Sequence, residues 1–127
     1  MFIQIEPTSE IPIYTQLANQ LIELIATGTL KASDALPSVR SLAADLGVNM
    51  HTVNKAYHEL EKKKIIEIIP KSGAIINPIS SNGPSDMQMD LIKLHLKPLI
   101  AESIVYVLDK EQILSITSSI ISEITEG

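Results

Sequence analysis

From Asn49 to Lys55 the chain reads Asn-Met-His-Thr-Val-Asn-Lys. Apart from Val53 and the thioether of Met50, these are amides, an imidazole, a hydroxyl and an ammonium. The amide of Asn54 has the paired donor and acceptor that match one edge of adenine. Hydroxyls, Asn49, His51 and a lysine suit phosphate oxygens or neighbouring base edges. Ser38 and Arg40 add a hydroxyl and a guanidinium upstream, and Lys71-Ser72-Gly73 adds a cation and a hydroxyl downstream. Catalytic constellations are missing: no glycine-rich phosphate loop, nucleophile elbow or paired-carboxylate site appears. His51 and His58 stand seven apart, whereas helical metal ligands are usually spaced by four, and the chain has no cysteine. No metal, cofactor or enzymatic activity is expected.

The spacing around these residues shows what must hold them. Apolar residues fall at Leu42, Leu46, Val48, Val53 and Ala56, with small Ala43 where two helices approach and Gly47 at the corner between them. This is the pattern of a helix-turn-helix, a short helix joined by a tight turn to a second helix packed across it. Ser38 is placed to cap the first helix and Asn49 the second, which runs from about His51 to Lys62. Met50, His51, Thr52, Asn54 and Lys55 then point away from the core, on the face that enters the major groove in this motif. Ile65 to Ile69 and Ala74 to Ile76 are short β-rich runs separated by Pro70-Lys71-Ser72-Gly73, which predicts a hairpin, the wing of a winged helix. Upstream, Ile13, Leu17, Leu21, Leu24 and Ile25 form a helical stripe that Pro12 opens and Gly28 closes. Tyr14, Tyr57 and Tyr106 read as packing residues with a polar handle.

These residues resemble the GntR family of transcription regulators. The resemblance rests on Ile11-Pro-Ile-Tyr-Thr-Gln-Leu, Gly28-Thr-Leu and Leu36-Pro-Ser-Val-Arg-Ser-Leu-Ala-Ala-Asp-Leu-Gly-Val. It continues in Thr52-Val-Asn-Lys-Ala-Tyr-His-Glu-Leu-Glu and in Ser72-Gly-Ala-Ile-Ile, so it covers about residues 1 to 77. The wording of the second motif helix and the short C-terminal region look like the YtrA branch, whose members lack a large effector domain. The resemblance implies a DNA-binding regulator, usually a repressor, encoded beside the genes it controls. Departures fall at defined places. Ala32-Ser33 stand where the family has Pro-Gly, and Lys64 and Lys71 stand where it has glycine. Met50, Asn54 and Ser72 replace basic residues common in the family, and neither methionine nor asparagine repeats an arginine's bidentate reading of guanine.

At 127 residues with 45% apolar content, the chain has room for one compact domain and an appendage. No apolar run reaches the ~18 residues of a membrane span, and no signal-peptide pattern opens the chain. A cytoplasmic protein without membrane contact is expected. The net charge of −5 is unevenly distributed. Residues 1–77 carry seven basic and eight acidic side chains, and residues 78–127 carry three and seven. Between residues 40 and 71 the balance reverses, with six basic against four acidic. Screening within ~8–10 Å lets a basic face work on an acidic protein.

Residues 78–86 have linker composition, and residues 87–127 read as two helices. Met87 to Leu108 carries Leu91, Leu94, Leu99, Ile104 and Leu108 as its apolar positions, with Pro98 expected to kink or end the helix. Asp109 and Gln112 form a capping-box start for the last helix, whose stripe is Ile113, Ile116, Ile120, Ile121 and Ile124. Two such helices cannot bury both stripes against each other. Leu99, Ile104, Leu108, Ile113, Ile116, Ile120 and Ile124 are therefore the expected interface of a homodimer.

The expectation is thus a mostly α protein with a small β wing. A winged helix-turn-helix domain (1–77) is followed by a linker (78–86) and a short two-helix dimerisation region (87–127). Its partners would be a double-stranded, palindromic DNA operator, a second copy and, if one exists, a small effector of unknown identity. Ser38, Arg40, Asn49, Met50, His51, Thr52, Asn54, Lys55, Lys71, Ser72 and Gly73 are the candidate DNA contacts. The alternative is a winged-helix protein-interaction module that no longer binds DNA.

Overall fold

The structure, a computed structural model, describes residues 2–126. The elements in chain order are α1 (Ile13–Ala26), β1 (Ala35–Leu36), α2 (Val39–Leu46), α3 (Met50–Lys62), β2 (Ile66–Ile69), β3 (Gly73–Ile76), α4 (Asp86–Val105) and α5 (Lys110–Glu126). Internal packing divides the chain into two units after Ile79.

In the first unit, α1 and α2 both pack on α3. Leu17 and Leu21 of α1, Leu42 and Ala43 of α2, and Val53, Ala56, Tyr57 and Leu60 of α3 close over one core with Leu36, Ile66, Ala74 and Ile76. The 3.6-residue period puts each of these groups on one helix face, so a single layer of sheet and three helices bury them together. Leu24, Ile25, Leu46 and Val48 are half-buried around that core. The sheet is antiparallel in the order β1-β3-β2, with Leu36 opposite Ala74, Ile66 opposite Ile76 and Ile69 opposite Gly73. β1 is an addition to the expected hairpin. Two residues carry no readable period, and Ala35 and Leu36 become a strand by pairing with β3.

The caps follow the sequence closely. The Ser38 hydroxyl accepts from the Ser41 amide at 3.1 Å, and the Asn49 side chain accepts from the His51 amide at 2.8 Å. Gly47 adopts φ +67° between α2 and α3, a left-handed turn that suits a residue without Cβ. At the end of α3 the Ile65 amide donates to Leu60 and the Lys64 amide to Glu61, a Schellman closure. Lys64, at φ +66°, takes the position in that closure usually held by glycine. An extended stretch before α1 is held by two glutamines one turn apart. Gln20 exchanges two hydrogen bonds with the backbone of Gln4, while Gln16 accepts from the Glu6 amide and donates to the Glu6 and Ile11 carbonyls.

The second unit corrects three expectations. The fourth helix ends at Val105 rather than Leu108, because Val107 turns to φ +67° and the Leu108 amide closes back on Ser103. Leu108 therefore lies in the turn before α5. Pro98 does not divide α4: the helix is assigned without a break across it. Proline removes one amide donor, and a full capping box between Ser85 and Gln88 secures the start of a helix long enough to absorb that loss. Asp109 and Gln112 form the reciprocal box that opens α5, at 2.9 and 2.8 Å. No residue of either helix is buried. Nor is the apolar content of α4 a stripe. Leu91, Ile92, Leu94, Leu96, Leu99 and Ile100 are all exposed, and at about 100° per residue they point round most of its circumference.

Candidate nucleic-acid interface

The three expected contact segments all lie in the first unit. Arg40 is exposed on the first turn of α2, and Ser38 caps that turn. Helix geometry leaves the amides of Val39 and Arg40 without an intrahelical acceptor, so this end also offers backbone donors to an anion. On α3, Val53, Ala56, Tyr57 and Leu60 face the core, which leaves Met50, His51, Asn54 and Lys55 exposed and Thr52 half-buried. Asn49 uses its side-chain oxygen as the helix cap, and its NH2 group keeps two donors. His58, one turn further along α3, has its Nδ1 2.8 Å from the Asn54 carbonyl.

Lys55 is held in place. Its Nζ lies 4.0 Å from the centre of the Tyr14 ring on α1, a cation–π contact across the α1–α3 seam. Tyr14 is half-buried beside the core. Sequence reading took it as a packing residue, and only its position over the lysine adds a second part.

The wing tip is a four-residue turn in which the Ser72 amide donates to Ile69 at 3.0 Å. Pro70 fixes φ near −65° at the second position, and Lys71 has φ +68° at the third, which is the signature of a type II turn. That third position favours glycine, yet a lysine occupies it and is exposed together with Ser72. Gly73 differs from its neighbours. It is buried at φ +100°, and an added Cβ would stand 2.8 Å from the carbonyl oxygen of Pro37. Close backbone packing therefore accounts for this glycine.

The same Pro37 carbonyl accepts a 2.7 Å hydrogen bond from the Tyr57 hydroxyl. Burial pushes the Tyr57 phenol up to about 12 from its ordinary 10.0, so it remains a donor. The tripeptide Leu36-Pro37-Ser38 thus pairs with the wing through Leu36, receives α3 through Pro37 and caps α2 through Ser38. A further tie joins α3 to the wing, since the Glu61 carboxylate accepts from the Ile68 amide at 2.8 Å. These links hold α2, α3 and the hairpin as one block. Among the described residues, no cluster of three or more metal-ligating side chains occurs and no helix is long and apolar enough to cross a membrane.

Comparison with known proteins agrees with this geometry. Residues 13–76 match the family described as bacterial regulatory proteins, gntR family. The chain is 43% identical over 101 residues to the HTH-type transcriptional repressor YtrA of Bacillus subtilis, covering 80% of this chain and 78% of that one. A solved structure described as a transcriptional antiterminator from Listeria monocytogenes superposes with a TM-score of 0.91 at 27% identity, covering 100% of this chain and 95% of the other. YtrA from Sulfolobus acidocaldarius, a GntR-family transcription factor, gives a TM-score of 0.59 at 36% identity over 95% of this chain and 97% of its own.

Proposed function

The chain belongs to the GntR family of bacterial regulatory proteins, and from that premise we propose that it is a repressor that binds a palindromic operator as a two-fold homodimer. Its winged-helix domain is the DNA-binding domain of a transcriptional regulator. The observation that carries the finer reading is the exposed N-terminal half of α3, whose polar side chains project from a helix anchored on its other face by Val53, Ala56, Tyr57 and Leu60.

In this reading α3 enters the major groove. Asn49, Met50, His51, Thr52 and Asn54 approach base edges and nearby phosphates, with Asn54 reading adenine through its amide. Ser38, Arg40 and Lys55 hold phosphates beside the groove, and Lys71 and Ser72 reach the backbone from the wing tip. Gly73 contributes by letting the hairpin pack rather than by contact.

A single winged helix reads too few base pairs to be selective, and two-fold symmetry matches two heads to two half-sites about 34 Å apart. Support for a second copy comes from residues 80–126, where Leu99, Ile104, Ile116 and Ile120 are exposed and Leu108, Ile113 and Ile124 half-buried in the single chain. A helix that is apolar round most of its circumference needs more cover than one neighbour gives, and helices from a second copy supply it. Repression is supported by the B. subtilis relative, named as a transcriptional repressor. An effector, if one exists, is small and acts at this interface by changing the spacing of the heads. The protein works in the cytoplasm, where the chromosome is.

Selection of bound sequences from random DNA with purified full-length protein tests the reading. A palindromic consensus, steeply salt-dependent binding and a sedimenting dimer are expected. A monomer at micromolar concentration rules out the homodimer. Absence of salt-dependent DNA binding leaves a protein-interaction module in its place.

A further inference from the structure

The contact between Lys55 and Tyr14 has a use that packing alone does not require. Lys55 is an exposed residue on the DNA-facing side of α3, and a free lysine there would sample many rotamers. Its ammonium instead sits 4.0 Å above a ring carried by another helix. α1 and α3 share the core through Leu17, Leu21, Val53 and Ala56, so the two helix backbones that carry the ring and the lysine are packed together. An ammonium over a ring face uses one side for the ring and keeps its remaining N–H groups for oxygen acceptors. Fixing a flexible side chain before binding removes an entropy cost that would otherwise be met when the complex forms.

We propose that Tyr14 is a positioning residue of the DNA interface, holding the Lys55 ammonium at the α1–α3 seam for a backbone phosphate beside the groove entered by α3. The proposal rests on the reading of α3 given above and adds to it a residue on α1 with no direct base contact. It also assigns Lys55 a phosphate rather than a base, because an ammonium tethered toward α1 is drawn away from the helix face that carries Asn54. Tyr14 then affects affinity equally for every operator, and leaves sequence preference alone.

The test uses the full chain and a duplex of selected sequence, with binding measured across a salt series. Lys55→Met should bind about three- to fivefold more weakly and lose about one unit of the log–log salt slope. Tyr14→Leu should weaken binding by up to the same factor but keep most of the slope, because the freed ammonium still neutralises the phosphate, and the double variant should be no weaker than Lys55→Met alone. Tyr14→Phe keeps the ring and should bind like the parent, which separates the ring's part from any role of the hydroxyl. Thermal melts show whether Tyr14→Leu remains folded. As a check that needs no leucine variant, the Lys55 ε-methylene protons should show a ring-current upfield shift that persists when DNA is added. Full additivity of the two losses overturns the proposal, as does parental affinity in a folded Tyr14→Leu or disappearance of the ring-current shift on DNA binding. If Lys55→Met binds normally while Arg40→Ala is weakened, the proposal falls and the DNA face stands. If neither variant loses affinity, the reading of that face falls with it.

Discussion

Residues 2–79 and 80–126 have similar apolar content and opposite burial. In the first unit the large aliphatic side chains of α1, α2 and α3 close on one another, and Leu17, Leu21, Val53, Tyr57 and Leu60 have no exposed surface. In the second, helices just as well capped bury none of their residues. The difference lies in where the apolar residues fall around each helix. One face per helix lets three helices and a sheet satisfy one another within a single chain. A wider apolar surface, as on α4 outside the face of Asp86, Asp90, Lys93 and Lys97, asks for more than one neighbour. The first unit buries its apolar side chains among its own residues, and the second leaves the surface that the proposed second copy would cover.

The sharpest way to break this contrast is to charge the second unit. Ile120 is 48% exposed in the single chain, and in the proposed dimer it faces a second copy. Ile120→Asp should give a monomer whose operator affinity falls between about 10²- and 10⁴-fold, because linkage of the two heads is lost. The melting of the first unit should not change. Sedimentation and a gel shift measure the two effects. A dimeric Ile120→Asp with parental affinity would remove α5 from the interface.

Gly73→Ala attacks the other side of the comparison. A Cβ there meets the Pro37 carbonyl, and φ +100° is a conformation that alanine avoids. Destabilisation of roughly 2–4 kcal/mol is expected, visible as a lower first-unit transition in denaturant while the oligomeric state persists. A near-neutral Gly73→Ala would mean that the wing does not pack on Leu36-Pro37 as described.

Much of this block was legible in advance, and the exceptions have physical causes. Ser38, Asn49, Gly47 and the Asp109–Gln112 box act through neighbours in sequence, so residue type and spacing reveal them. β1, the Gln20 clamp on Gln4 and the Gln16 clamp on Glu6 depend on partners ten or more residues away, and none leaves a periodic trace. Gly73 read as a turn glycine. Its close approach to Pro37 belongs to the tertiary fold and could not be read from the turn. Pro98 carried a true local preference that helix length and capping overrode. The candidate contacts were named as a face, and the exposure of Met50, His51, Asn54 and Lys55 is consistent with that face. Which base each reads is set by DNA geometry that one chain does not contain.

Tyr57 offers a pH test confined to the first unit. Its phenol has a folded value of about 12 against 10.0 when unfolded. Above pH 10 the unfolded chain loses this proton while the folded chain keeps it, so stability falls as pH rises from 10 toward 12. The full loss is about 2–3 kcal/mol. Denaturant titrations at pH 9 and 11.5 should show it, and Tyr57→Phe should flatten that slope while lowering stability at pH 7 by leaving the Pro37 carbonyl without its donor. An equally steep slope in Tyr57→Phe would assign the alkaline loss to other groups.

The smallest effects come from positions where the backbone kept a glycine conformation and the residue did not. Ser33, Lys64 and Lys71, the three sites at which this chain departs from glycines of the GntR pattern, all have positive φ, between +66° and +74°. Val107 shares that conformation at the end of α4, where a β-branched side chain is least at ease. Restoring glycine relieves the left-handed strain but loosens the unfolded chain, so each change should stabilise by only about 0.5–1 kcal/mol. Lys64→Gly should raise the melting temperature of the first unit by a few degrees with no change in DNA binding. Lys71→Gly should raise it similarly and, on the proposed reading, cost about one unit of salt slope, because the wing tip would exchange a phosphate contact for a relaxed turn. Val107→Gly should leave the first unit unchanged and raise a melting transition that depends on protein concentration, since its turn joins the two helices of the proposed dimer interface. Stabilisation by Lys71→Gly with an undiminished slope would show that the lysine does not reach DNA. A lower melting temperature in all three variants would show that these turns carry no strain for glycine to relieve.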